Sequence, residues 1–543
     1  MWWMSESNDA EIVDAEVVEE EASSRFSIGQ IIPRIKALPT SALAVVVIML
    51  IGSMGGAVLY ADDVIEWVRG EPDYQLIDFN ASEARNFAQT LVDMGHPEWA
   101  GRMSGTVEER TTAEWIKSNF SSMGIPSTIE EFDVPMFVIG EEPELSICTP
   151  GDIGETFPNL ACSDADLNRD ILEFDHRMDF VLQGYSGSAF IRYVDDIDLI
   201  DLGTGNESAD WPSAASSVAL IHQLPETESN TVLFERASNN DVAGLIIINE
   251  RQNCDDLIDG DCVPYFKTVD ISAISNIPIE LGFIMVSKSV GQTIIDMVMN
   301  GDGQLQFMTD VENAGEATVY VTCGIIQGKS DSLVIIGAHH DTVYNGPGAV
   351  DDTSGTSTVL EMARQMALIE SQLGKPAHTI YFCTWGGEEE GLFGSTQWVA
   401  KHNRNLYENL RIYINLDMNH VDAERNSGVT LFGNHATDVD MIRGITKVFK
   451  AQYPELADKY TIRINKLAST EMPYNSDHAP FVYNIDEQEA DGIDYGRAVV
   501  CYGSGSQEYH TYLDGMDRFN EESLAVSGII YGSLVRYLGW GSR

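Results

Sequence analysis

The chain has 543 residues, which is too long for one ordinary hydrophobic core, so we expect two or three domains. Its 32 lysine and arginine residues and 85 aspartate and glutamate residues give a formal net charge of −53. This charge argues against nucleic-acid binding, which needs basic patches, and it favours solubility at high salt, where self-repulsion is screened.

Acidic side chains crowd the start of the chain, and we expect residues 1–40 to form a disordered tail. Residues 41–61 carry no charge and have the length of a helix that crosses a bilayer core of ~30 Å. A buried helix and a cleaved signal peptide are the alternatives, but a signal peptide would have a shorter apolar core and begin nearer residue 1. Basic residues precede this segment and acidic residues follow it, which predicts a single-pass membrane protein with a cytoplasmic N-terminus and an extracellular remainder.

From residue 73 the pattern is that of a folded domain. SEARNFAQTLVDMG (82–95) and VEERTTAEWIKSNFSSMG (107–124) have helical spacing, and STIEEFDVPMF (127–137) alternates like a strand. Residues 140–305 then hold short apolar strands between polar loops, and no catalytic cluster occurs among them. We expect residues 140–305 to be a mostly-β insert between two parts of one α/β domain, residues 73–139 and residues 316–540.

Six cysteines fall into two kinds of sequence environment. Two pairs are close in sequence among polar loop residues: Cys148 with Cys162, and Cys254 with Cys262. In an oxidising compartment these pairs would form disulfides, and free thiols are the alternative. Cys323 and Cys383 lie in apolar runs, and we expect them to be buried thiols.

From residue 316 onward, strands alternate with helices, which predicts a mostly parallel mixed sheet covered by helices on both faces. Ligands of such sheets bind beyond the carboxyl ends of the strands. Imidazoles and carboxylates follow three of the strands and recur in two later loops: His339, His340, Asp341, Asp351 and Asp352; Glu388, Glu389 and Glu390; Asp417 and His420; Asp477 and His478; His510 and Asp514. Each motif alone is a weak signal, since a lone carboxylate often caps a helix, but together they indicate a divalent metal site, zinc above all.

Five motifs carry a resemblance to a known family. They are AHHD (338–341), GAVDDTSG (348–355), EEEGLFGS (388–395), INLDM (414–418) and EYHTYLD (508–514). In this order they resemble the di-zinc aminopeptidase family, which includes bacterial leucyl aminopeptidases and has glutamate carboxypeptidase and glutaminyl cyclase as relatives. The resemblance covers residues 73–135 and 316–540 and implies a zinc-exopeptidase fold, and the insert at 140–305 resembles a protease-associated domain.

When the family's ligand roles are assigned to the matching residues of this chain, the resemblance implies a centre of two zinc ions. His339 and Asp417 would bind one zinc ion. Glu389 and His510 would bind the other ion, and Asp351 would bridge both.

The same resemblance implies roles for residues beside the metal ligands. Glu388 would be the general base. Asp341 would orient His339 by a hydrogen bond to the ring nitrogen that does not bind the metal, as ligating histidines usually require. His340 is one residue out of register and would not be a ligand, and His478 would line the site.

The resemblance implies an exopeptidase acting on peptides, with an aminopeptidase favoured, and the uncharged segment at 41–61 would anchor this enzyme in a membrane. A glutamate-carboxypeptidase-like enzyme, a cyclase-like enzyme and a non-catalytic receptor-like ectodomain are the alternatives, and the complete set of ligands and Glu388 argue against the last. Neither Gly-x-Ser-x-Gly nor His-Glu-x-x-His occurs in the chain. The sequence leaves homodimerisation open.

Overall fold

The computed structural model describes residues 72–150, 162, 169–195, 197–222, 229–255, 260–272, 274, 280–422, 428–485, 495–503 and 508–542. The expected acidic tail at 1–40 and the expected membrane span at 41–61 lie outside these residues. No helix within the described ranges combines the length and the apolar character that a membrane crossing requires.

The described strands, in chain order, are β1 (Ser127–Ile139), β2 (Glu144–Pro150), β3 (Arg169–Glu173), β4 (Phe180–Leu182), β5 (Ala189–Ile191), β6 (Leu199–Asp201), β7 (Val218–Ile221), β8 (Gly244–Ile248), β9 (Cys254–Asp255), β10 (Asp261–Cys262), β11 (Gly282–Val286), β12 (Gln304–Thr309), β13 (Val311–Ile326), β14 (Leu333–His339), β15 (Thr379–Trp385), β16 (Leu410–Leu416), β17 (Gly428–Gly433), β18 (Thr461–Lys466) and β19 (Ala498–Tyr502). The described α-helices are α1 (Ala81–Val92), α2 (Val107–Ser122), α3 (Asn230–Asn239), α4 (Lys288–Ile294), α5 (Thr353–Leu373), α6 (Phe393–Asn409), α7 (Ala436–Gln452), α8 (Pro454–Lys459), α9 (His478–Tyr483) and α10 (Glu521–Trp540).

An eight-stranded mixed sheet is the centre of the fold, with the strand order β1-β13-β15-β14-β16-β19-β17-β18. Its four middle strands, from β15 to β19, run parallel to one another, whereas β13 and β17 are antiparallel to their inner neighbours. Every residue of β14 is buried, as expected for a parallel strand covered on both faces. The sequence therefore predicts the mixed α/β class correctly.

The two faces of this sheet pack against different helices, because successive residues of a strand point to opposite sides. Val334 and Ile336 of β14 belong to a large apolar core shared with α1, α5, α7 and α10. Leu333 and Ile335 point to a second core shared with α6 and α9. The carboxyl end of β14 is thus held between two packed layers, which fixes the position of the residues that follow it.

Between β1 and β13 the described residues form two larger sheets and a two-stranded sheet of β9 and β10. The chain leaves β1 and returns at adjacent points, since the amide of Gly140 donates to the carbonyl of Asp310 at 2.9 Å. One larger sheet is antiparallel, with the order β3-β2-β12-β5, and the other has the order β4-β11-β8-β7-β6. In the second sheet β6, β7, β8 and β11 are parallel, and α3 connects β7 to β8. This region therefore has more α/β character than the expectation of a mostly-β insert.

The structure agrees with the disulfide prediction for two cysteine pairs and differs from the prediction for Cys323 and Cys383. Disulfides join Cys148 to Cys162 and Cys254 to Cys262. The expectation of buried thiols at Cys323 and Cys383 is wrong, because these two residues form a third disulfide. They lie opposite each other in the antiparallel pair β13–β15, so the sheet brings their sulfur atoms together. The seventh cysteine, Cys501, is buried and unpaired.

Candidate metal centre

The carboxyl ends of the middle strands deliver candidate ligands to one edge of the sheet. β14 ends at His339, and Glu389 and Asp417 come shortly after β15 and β16, both of which are parallel to β14. Asp351 lies two residues before the start of α5, and His510 lies in the loop between β19 and α10. Parallel strands end at the same edge, which explains why residues so far apart in sequence come together.

These five residues form two groups that share one member. His339, Asp351 and Asp417 make up the first group, and Asp351, Glu389 and His510 make up the second. Within each group, the nitrogen and oxygen atoms that could bind a metal lie within 4.8 Å of one another, and all five residues are buried.

The two carboxylate oxygens of Asp351 face different imidazole rings. Oδ1 lies 3.2 Å from Nε2 of His339, whereas Oδ2 lies 3.2 Å from Nε2 of His510. Nε2 of His510 is also 2.9 Å from Oε2 of Glu389. A carboxylate with one oxygen in each group has the geometry of a bridge between two cations.

Hydrogen bonds set the orientation of both histidines. Nδ1 of His339 lies 3.1 Å from the carbonyl oxygen of Asp341 and 3.4 Å from its Oδ1. Nδ1 of His510 lies 2.7 Å from the carbonyl oxygen of Phe266. Carbonyl oxygens only accept, so Nδ1 is the donor in both rings and Nε2 is left with a lone pair directed at the candidate ligand groups.

The side chain of Asp341 connects His339 to the loop that carries Glu389. Its Oδ2 accepts from the hydroxyl of Ser104 at 2.7 Å and from the amide of Glu389 at 3.2 Å. Ser104 follows Arg102, a fully buried arginine that donates to the hydroxyl of Thr353 at 2.6 Å. The segment before α2 is therefore part of the support of the site.

Two further carboxylates that the sequence placed at this edge bind backbone instead of joining the groups. Asp352 caps α5 through the amide of Gly355 at 2.9 Å, and it accepts from the amide of Met418 at the same distance. Asp514 accepts from the amides of Val350 and Asp351 at 2.7 and 3.0 Å. These bonds fix the backbone on which Asp351 and Asp417 stand.

The charges at the site are those of a cation-binding centre. Burial, together with the charge of Asp351, raises the pKa of Asp417 to about 7. Burial, together with the charges of Asp477 and Glu389, raises the pKa of Glu388 well above its usual range. Burial alone would lower the pKa of His510, but the carboxylate of Glu389 raises this pKa to about 9. Bound divalent cations would neutralise the negative charges of these neighbouring carboxylates. A mixture of imidazole nitrogen and carboxylate oxygen ligands is one that zinc binds.

Glu388 lies beside the first group without belonging to either. Its Oε2 is 4.0 Å from Nε2 of His339, and its side chain is 11 % exposed. A carboxylate in this position can contact a molecule in the cleft, which is what a proton carrier requires.

The remaining histidines predicted at this edge lie outside both groups. The ring of His340 is buried 3.7 Å from Oε1 of Glu109, which agrees with its exclusion from the ligands. Nε2 of His420 accepts from the amide of Asn520 at 2.7 Å. His478 is fully buried, and its ring packs edge-on against Phe432.

Asn253 and Phe266, from the region between β1 and β13, make contacts to the site that the sequence did not predict. The amide of Phe266 donates to the carbonyl of His510 at 3.0 Å, in addition to the bond between Phe266 and the ring of His510. The side-chain amide of Asn253 donates to the carbonyl of Tyr509 at 2.7 Å. His510 itself has a positive φ of 59°. The contacts to His510 are made by backbone atoms, so no residue pattern in the sequence marks them.

Comparisons with known proteins place this site in a family. Residues 322–535 match the family model described as Peptidase family M28. An aminopeptidase of Pseudomonas aeruginosa is 25% identical over 472 residues, which cover 82% of this chain and 78% of that protein. A protein of Zea mays named "Probable glutamate carboxypeptidase VP8" is 32% identical over 205 residues, which cover 35% of this chain and 26% of that protein.

Solved structures show the same fold. A zinc aminopeptidase from Bacillus subtilis matches with a TM-score of 0.60 and 19% identity, over 86% of this chain and 96% of that one. A Peptidase M28 precursor from Shewanella amazonensis matches with a TM-score of 0.60 and 18% identity, over 84% and 93% of the two chains. With the two ligand groups, these likenesses identify the chain as a metallopeptidase whose residues 322–535 match Peptidase family M28.

Proposed function

We propose that this metallopeptidase is a di-zinc exopeptidase, and specifically an aminopeptidase. The observation that carries the proposal is the position of Asp351, whose two oxygens face His339 and His510 in different ligand groups. His339 and Asp417 would hold one zinc ion, and Glu389 and His510 would hold the other. The aminopeptidase relative supports the activity because the match extends over 82% of this chain.

The proposed mechanism assigns a task to each residue at the centre. When bound, the zinc ions supply a water molecule of lowered pKa and polarise the scissile carbonyl. Glu388 takes the proton of the attacking water and passes it to the leaving nitrogen. Asp341 and the carbonyl of Phe266 keep the Nδ1 proton on their histidines, so that Nε2 stays available as a ligand.

A carboxypeptidase is the second candidate, since relatives named as glutamate carboxypeptidases also match. The match to the Zea mays protein covers only 35% of this chain, so it supports the candidate less well than the aminopeptidase match supports the first. A receptor-like role without catalysis is disfavoured, because the two ligand groups and Glu388 are in place together.

The test combines metal analysis with two pairs of peptides. We expect two zinc ions per chain, and hydrolysis of a peptide with a free amino group but not of its N-acetylated twin. A C-terminally amidated peptide with a free amino group should be cleaved as well as the unmodified one. Cleavage that survives acetylation and is lost on amidation would indicate a carboxypeptidase, and a zinc-loaded chain that cleaves none of the peptides would contradict the proposal.

We also propose that residues 41–61 anchor the protein in a membrane, with the peptidase outside the cytoplasm and residues 140–305 as a protease-associated-like insert. The uncharged segment supports the anchor, and three disulfides are consistent with an oxidising compartment.

Deleting residues 1–61 is expected to give a soluble chain with the zinc content and turnover of the full-length protein, because the five candidate ligands lie between residues 339 and 510. Membrane sedimentation and peptide hydrolysis of both forms provide the check. A full-length chain that stays in the supernatant would refute the anchor, and an inactive but folded truncated chain would show that the segment shapes the site.

A further inference from the structure

A lysine from the region between β1 and β13 reaches the metal centre. Lys267 follows Phe266, whose backbone is hydrogen-bonded to His510, and its ammonium group donates to the hydroxyl of Tyr509. Nζ of Lys267 also lies 4.3 Å from the centre of the Tyr509 ring. That ring stacks on the imidazole of His510 with a centroid distance of 3.7 Å. The Lys267 side chain is thus separated from a candidate ligand, His510, by the ring of Tyr509.

The surroundings of Lys267 are those of a group that lines a binding cleft. Burial lowers the pKa of Lys267, whereas the carboxylates of Glu389, Asp351 and Glu388 act in the opposite direction and favour its charged form. Its side chain is only partly buried. An ammonium group has three N–H donors, and the Tyr509 hydroxyl is its one hydrogen-bond acceptor among the described residues. Two donors therefore remain for a molecule bound in the cleft.

The Lys267–Tyr509 bond also fixes the direction of the phenol proton. An ammonium group cannot accept a hydrogen bond, so the oxygen of Tyr509 is the acceptor and its own proton must be donated elsewhere. In the described part of the chain no residue takes that proton. It is available to an oxygen atom of a bound substrate.

We propose that Lys267 is a positioning residue of the peptidase reaction, which directs the Tyr509 hydroxyl at the scissile carbonyl oxygen. This inference rests on the proposed exopeptidase function. Donors that are already in place where negative charge develops stabilise the transition state more than the ground state. A donor whose oxygen is itself bound to a cation is a stronger donor, because charge-assisted bonds polarise their neighbours. The region between β1 and β13 would then act in catalysis through Lys267.

The kinetic test uses Lys267→Met, Lys267→Arg, Tyr509→Phe and the double variant Lys267→Met/Tyr509→Phe. We expect ~10²-fold lower kcat for Tyr509→Phe and about tenfold lower kcat for Lys267→Met, with KM little changed in both. The double variant should be no slower than Tyr509→Phe, since Lys267 acts through that hydroxyl, and Lys267→Arg should recover much of the loss. Lys288→Met, on the exposed start of α4, is the matched control and should keep wild-type kinetics.

A binding measurement separates this role from a structural one and from the proposed function itself. A phosphinate dipeptide carries a tetrahedral anion where a substrate has its carbonyl, and Lys267→Met should weaken its binding about tenfold. Zinc content and melting temperature should stay at wild-type values.

Wild-type kcat and wild-type phosphinate affinity in Lys267→Met would overturn the role of Lys267 while leaving the exopeptidase intact. Additive losses in the double variant would also overturn it, and so would a loss of zinc in Lys267→Met. A wild-type chain that neither hydrolyses peptides nor binds the phosphinate would overturn the proposed function, and the role of Lys267 with it.

Discussion

Replacing Glu388 by glutamine is expected to lower kcat for peptide hydrolysis by ~10²–10⁴-fold, the usual contribution of a general acid–base group. Glutamine keeps the size of the side chain but cannot take a proton from the attacking water. Glu388 belongs to neither ligand group, and its carboxylate lies 4.0 Å from Nε2 of His339. The variant should therefore keep its zinc ions and its melting temperature while it loses turnover.

Glu390→Gln is a matched control, because it makes the same change two residues along the same loop. Glu390 is 3 % exposed, and burial and the charge of Asp341 raise the pKa of Glu390 well above its usual range. Glu390 belongs to neither ligand group and is almost fully buried, so it is not expected to contact the attacking water and this variant should keep most of its activity. Wild-type turnover in Glu388→Gln, or equal losses in both variants, would remove Glu388 from its assigned role.

The residues of the candidate centre could be proposed from the sequence because their side chains are of the types that bind metals. Imidazoles and carboxylates that directly follow buried parallel strands must come together at the end of the sheet. His339 at the end of β14 and Asp417 after β16 are examples, and the structure places both in one group. The burial of every residue in β14 follows from the same apolar run that predicted the strand.

Residue type alone could not predict which carboxylates lie in the ligand groups and which cap a helix or accept from backbone amides. Asp351 and Asp352 are adjacent and chemically identical, yet one has its oxygens in both ligand groups and the other caps α5. Asp514 binds two backbone amides, a role that depends on where the loop after β19 passes. Only the path of the backbone distinguishes such acceptors from ligands.

Contacts between strands that are distant in the sequence could not be predicted either. Cys323 and Cys383 are each buried, as their apolar neighbours predict, but their disulfide depends on β13 and β15 being adjacent in the sheet. The bond from the His510 ring to Phe266 uses a carbonyl oxygen, which any residue could supply. Such features follow from strand order and loop path, which a single sequence does not specify.

Replacing Asp351 by alanine should remove both metal ions, whereas replacing His340 by alanine should remove neither. Asp351 is the one member common to the two groups, and each of its oxygens lies 3.2 Å from a different imidazole nitrogen. Its loss leaves two protein ligands in each group. Losing even an outer partner of a ligand typically costs 10–100-fold in metal affinity, so we expect a loss of more than ~100-fold at both sites.

The measurement is zinc stoichiometry by mass spectrometry, followed by calorimetric titration of zinc into the metal-free chain. His340→Ala is the stringent control, since His340 adjoins His339 in sequence but its ring lies beside Glu109. Burial raises the pKa of Glu109, so the cost of losing its imidazole partner should appear as a lower melting temperature and not as lost zinc. One zinc ion bound at wild-type affinity in Asp351→Ala would show that Asp351 does not bridge. Loss of zinc in His340→Ala but not in His339→Ala would place the ligand one residue further along, and the assignment of the first group would fall with it.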